Sequence, residues 1–82
     1  MAKAHKHYMG FRLDADVYAA ARGFVPILTI TKQRGDQTLE KQFSPPHPPD
    51  GFLTEKEAVD ASLKYGMAII NGNFRGKTVN EM

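Results

Sequence analysis

The order of apolar and polar positions splits the chain into an alternating N-terminal part and a helical C-terminal part, with a proline-rich stretch between them. Tyr8-Met9-Gly10-Phe11-Arg12-Leu13 alternates, with Met9, Phe11 and Leu13 on one side. That is the period of a half-buried strand, and it predicts Tyr8 and Arg12 on the opposite, wet side. Asp14-Ala15-Asp16 then reads as a turn. In Val17 to Arg22, Val17 and Tyr18 favour a strand and Ala19-Ala20-Ala21 a helical turn; the segment is read as extended up to the break at Gly23. Phe24-Val25-Pro26-Ile27-Leu28-Thr29-Ile30-Thr31 predicts the clearest strand, because it is rich in β-branched residues. Pro26 donates no ladder hydrogen bond, so it belongs near the strand's start, at a bulge or on an edge. Gln33-Arg34-Gly35-Asp36-Gln37 carries hairpin-turn chemistry. Thr38 to Phe43 is the return strand, turning Leu39, Lys41 and Phe43 to one side and Thr38, Glu40 and Gln42 to water.

Ser44-Pro45-Pro46-His47-Pro48-Pro49-Asp50-Gly51 has neither the donors nor the free φ angles for a helix or ladder, and predicts a stiff extended connection inside one domain. Thr54 and Glu57 have the spacing of a capping box, in which the threonine oxygen accepts the N–H three residues on and the glutamate reaches back to the cap's own N–H. A helix is therefore predicted from Thr54 to about Asn71, with Gly72 as its stop. Val59, Leu63, Met67 and Ile70 form its apolar stripe, flanked by Ala58, Ser62, Tyr65 and Ile69. Glu55, Glu57 and Asp60 sit where they oppose the positive end of the helix dipole. Gly66 weakens the helix by about 1 kcal/mol relative to alanine unless close packing requires it. On this stripe Leu63→Ala should cost about 2–5 kcal/mol.

These elements predict an α+β domain: an antiparallel sheet of three to four strands in a meander, packed by one C-terminal helix. Residues 1–82 are read as one domain, with 1–6 and 76–82 as flexible ends. Tyr8, Gly10 and Phe11, followed by Phe52, Thr54, Glu57 and Ala58 and the helix end Ile69-Ile70-Asn71-Gly72, give a layout that resembles a loose group of short, uncharacterised bacterial and prophage-type proteins. The resemblance implies the same sheet-then-helix fold. It brings no activity with it.

Composition narrows the function classes. At 82 residues the chain buries only about 60–65% of its unfolded surface, which leaves little material for an enclosed pocket. Without cysteine there are no disulfides, thiolate metal sites or cysteine nucleophiles. No apolar run suits a signal peptide or a membrane span, so the reading is a soluble, cytoplasmic protein with no membrane partner. The net charge of +2 is mildly basic, and the excess lies towards the ends: Lys3, Lys6 and Arg12 at one, Arg75 and Lys77 at the other.

Candidate chemistry is thin. His5 and His7 share a face of an extended segment, and His47 is the remaining imidazole. A metal site needs three or four preorganised ligands, so a polar N-terminus beside an unrelated loop histidine is preferred, and no metal or cofactor is assigned. Turn chemistry accounts for Asp14 and Asp16, and capping for Glu55, Glu57 and Asp60. Ser44 and Ser62 have no nucleophile motif around them. Gly76-Lys77-Thr78 ends like a phosphate-binding loop, but Gly72 is one residue too close and no strand leads into it. Arg34-Gly35-Asp36 spells an adhesion tripeptide and is read as a turn. The sequence thus points away from an enzyme. It predicts a small non-catalytic binding or accessory protein, monomeric or homodimeric, that engages a protein partner through a sheet edge or the proline loop. The alternative is weak nucleic-acid binding by Lys3, Lys6, Arg12, Arg75 and Lys77, with Tyr8 and Tyr18 as stacking candidates.

Overall fold

A computed structural model describes residues 3–72. Four strands run β1 (Lys3–Tyr8), β2 (Phe11–Ala19), β3 (Phe24–Arg34) and β4 (Gln37–Phe43), followed by α1 (Glu55–Ile70). The strands form one antiparallel sheet in sequence order, so each is joined to its neighbour by a short connection. The expected α+β meander with one C-terminal helix is what the chain forms. Of the end read as flexible, 1–6, residues Lys3–Lys6 belong to β1. Residues 76–82 lie outside the described residues.

The first hairpin departs most from the sequence reading. Met9 and Gly10 form a two-residue loop between Tyr8 and Phe11, with φ of +50° and +84°. Positive φ at both central positions is the signature of a type I′ turn, whose twist matches that of the strands it joins. Met9 is therefore exposed at the loop tip rather than a core residue of a strand. Tyr8 pairs directly with Phe11 and shares its face, so it is not on Arg12's side as alternation through Met9 suggested. Asp14-Ala15-Asp16 is likewise no turn; it lies inside β2, with Ala15 buried. Of Val17–Arg22, Val17 to Ala19 complete β2, and the Ala20 N–H donates to the Gly23 carbonyl at 2.8 Å to close the connection to β3.

The helix lies over β2 and β3, reaches β1 and stops short of β4. Beneath it, Phe11, Leu13, Leu28, Ile30, Phe43, Tyr65 and Ile69 form one buried cluster, and Ala15, Val17, Ala58 and Val59 a second. Its buried face runs through Ala58, Val59, Ser62, Tyr65, Gly66 and Ile69. The predicted stripe is thus rotated: Leu63, Met67 and Ile70 flank the core half-buried. The reason is the small residues. A Cβ at Gly66 would stand 3.1 Å from a methyl of Leu13 and 3.1 Å from a methyl of Leu28, so helix and sheet touch most closely where glycine leaves room. Close packing explains Gly66.

Thr54 caps the helix as expected, its Oγ1 accepting the Glu57 N–H at 3.1 Å. The glutamate, however, accepts the threonine hydroxyl at 3.2 Å instead of reaching the cap's N–H. At the other end Asn71 is the C-cap, Gly72 takes φ +78°, and Tyr8 Oη donates to Asn71 Oδ1 at 3.1 Å, tying the helix end to β1. The proline stretch is an extended connection with Pro45 buried. It returns to β3 through paired backbone bonds between Phe24 and Phe52, at 2.8 and 2.7 Å. Gly51, at φ +86°, runs so close to Phe24 that a side chain there would strike its backbone. Pro26 sits in β3 beyond the end of β4, where no ladder partner needs its missing N–H.

Candidate functional site

With the helix on one face, the other face of the sheet is open among the described residues. Direct cross-strand pairs share a face, so the register arranges it in rows: His7, Arg12, Thr31 and Glu40 in one, and His5, Asp14, Thr29 and Gln42 in the next. Lys3, Asp16 and Ile27 form a third row, and Tyr18 with Val25 a fourth. The strands alternate because every second side chain must serve the core, and the intervening positions are free to be polar. A shallow depression of about 460 Å³ lies over this face, lined among others by Lys3, His5, Arg12, Asp14, Thr29 and Glu40.

Its charges are arranged in pairs. Arg12 Nε stands 3.1 Å from Asp14 Oδ1, and Lys3 Nζ 3.5 Å from Asp16 Oδ1. Both pairs are solvent-exposed, where such contacts contribute about 0–1 kcal/mol. Both aspartates stand in mid-strand, where Asp14-Ala15-Asp16 reads as a turn from sequence. With Glu40 added, the depression holds more carboxylates than lysine and arginine together.

Of the five candidate cations, Lys3 and Arg12 come together on the open face. Lys6 pairs with Leu13 and so projects from the helix side of β1. Arg75 and Lys77 lie outside the described residues. Tyr18 is on the open face, 45% exposed; Tyr8 is half-buried against the core. The helix side has further cations that sequence reasoning did not single out. Lys32 Nζ lies 4.8 Å from the centre of the Phe11 ring and Lys41 Nζ 5.9 Å from that of Phe43.

His5 and His7 both lie exposed on the open face, their ring centres 6.2 Å apart in an edge-to-face arrangement. His47 is engaged elsewhere, with Nδ1 2.9 Å from the Pro45 carbonyl oxygen. Among the described residues no three histidine, aspartate or glutamate side chains gather into a metal-holding group.

The remaining feature is an edge. Strand β1 pairs only with β2, and its other side is bare among the described residues. Antiparallel ladders alternate hydrogen-bonded and non-bonded pairs, and the pair closing a two-residue I′ loop is a bonded one. Tyr8, Lys6 and Ala4 therefore turn their backbone groups towards β2. Lys3, His5 and His7 turn theirs outward. This edge was invisible in the sequence because it depends on Met9-Gly10 being a turn.

Among the described residues the fold is a one-layer antiparallel sheet covered by α1 on one side and open on the other. No helix among the described residues is long and apolar enough to cross a membrane. Comparison with family models, with curated proteins and with solved structures finds no match.

Proposed function

We propose that this is a small, non-catalytic binding protein of the cytoplasm that engages a protein partner along the free edge of β1. The observation that carries the reading is the outward row of backbone N–H and C=O groups at Lys3, His5 and His7, on a strand nothing covers among the described residues. An extended segment of a partner adds to such an edge by main-chain hydrogen bonds, while the neighbouring side chains supply selectivity. The open face beside it offers a polar, charge-paired surface rather than an enclosed cleft.

Contact with nucleic acid is the second reading. Lys3, Arg12 and Tyr18 on one face favour it, whereas the carboxylate partners of both cations weigh against it. The excess of carboxylates over Lys3 and Arg12 in the depression weighs the same way.

A photo-crosslinking side chain at position 3, compared with one at position 38 on the opposite sheet edge, tests the first reading in cells. The expected result is protein adducts from position 3 only, lost in His5→Pro, which removes an outward donor without breaking the ladder to β2. Adducts that survive His5→Pro, or none from position 3, would overturn it.

A further inference from the structure

Resting on the reading of β1 as the docking edge, we infer that its partner is a second copy of this chain, and that the two copies are joined by a divalent metal ion held by His5 and His7 of each. One chain supplies half of a site. Two imidazoles on the same ion, each nitrogen about 2.0–2.1 Å from it, place their ring centres roughly 5–6 Å apart. The observed 6.2 Å between His5 and His7 is close to this, and both rings are free to rotate in solvent. Two further ligands are required for a closed tetrahedral site, and the described residues of one chain provide none.

The second copy supplies them through the register of the strand. The outward backbone groups belong to residues 3, 5 and 7, so a second β1 pairing antiparallel forms its hydrogen-bonded pairs among odd positions. One symmetric register sets His5 opposite His7 of the second copy, and His7 opposite its His5. The four Cα atoms then form a rectangle of about 5.5 Å across the strands by roughly 6.5–7 Å along them. All four imidazoles project from the same open face, because a two-fold axis normal to the sheet preserves its faces. The two helices share the opposite side, each lying mainly over its own β2 and β3. Four neutral nitrogens suit a borderline ion such as zinc, and exclude calcium or magnesium, which need oxygen ligands.

The same register explains why the metal is required. On the helix side it sets Lys6 directly opposite Lys6 of the second copy, at a non-bonded pair where side chains are closest. Like charges placed so are repulsive, and a lysine on an edge strand is a common guard against unwanted pairing. Without metal, Lys6 keeps the edge open. With metal, ligation at the four histidines overcomes that guard.

Sedimentation velocity on the full, tag-free chain tests this, first in chelator and then with zinc added at one ion per two chains. The expected result is twice the monomer mass in zinc alone, with calcium and magnesium inactive. His5→Ala and His7→Ala keep the backbone edge and should remain monomeric in zinc; both positions are exposed, so circular dichroism should show an unchanged fold. Lys6→Ala should dimerise at several-fold lower zinc. A wild-type chain that stays monomeric in zinc, or a His7→Ala chain that dimerises as readily as wild type, would overturn the inference. If that happened while crosslinking from position 3 still depended on His5, the edge reading would stand with a different partner.

Discussion

The two faces of this sheet are made by the same strands, residue by residue in alternation, yet they obey different rules. On the covered face the side chains are apolar and the fit is tight, down to a glycine in the helix that admits two leucine methyls. On the open face the side chains are mostly polar, with Lys3 and Arg12 paired to aspartates, and Ile27 and Val25 are its apolar members. Burial of apolar area is the dominant favourable term in folding, so stability should reside almost wholly on the first face. The second face and the edge of β1 are then free to change without unfolding the protein.

Leu28→Ala is the strongest way to break this division. Leu28 is fully buried between the helix and two neighbouring strands, and its truncation should cost about 3–5 kcal/mol, a large share of a small domain's stability. Thermal or urea unfolding reads this directly. Gly66→Val should follow at about 1–3 kcal/mol, because added methyls have no space against Leu13 and Leu28. Leu63→Ala, half-buried at the border of the two core clusters, should fall below the Leu28 variant rather than define the helix seam.

Ser62 is a polar exception on the covered face. Its side chain is fully buried on the covered face, and Oγ has no hydrogen-bond partner among the described residues. Ser62→Ala should therefore be neutral or stabilise by up to about 1 kcal/mol, a gain visible as a higher unfolding midpoint. Smallest of all should be Arg12→Ala on the open face, within about 0.5 kcal/mol of wild type in the same assay.

What the sequence made legible was decided by local chemistry. The β-branched run of β3, the Thr54 cap, the Gly72 stop and the wet side of β4 each follow from a strong local preference, and all are present. Met9-Gly10 was illegible because methionine seldom takes positive φ, so nothing in the residue type announces the turn. That single miss moved Tyr8 to the wrong face and hid both the length and the outward edge of β1. The helix seam was misplaced for a different reason: hydrophobic periodicity weighs large side chains, whereas Ala58, Ser62 and Gly66 mark where the helix comes closest. Of the candidate site, the shared face of His5 and His7 was readable from their spacing; their position on a free edge was not.

Residue-resolved amide hydrogen exchange along β1, without and with zinc, reads the free edge and its closure amide by amide. Ala4, Lys6 and Tyr8 should be protected in both conditions, while Lys3, His5 and His7 exchange freely without zinc and His5 and His7 become protected when it is added. Protection of the odd-numbered amides in chelator, or no change at His5 and His7 on adding zinc, would contradict it.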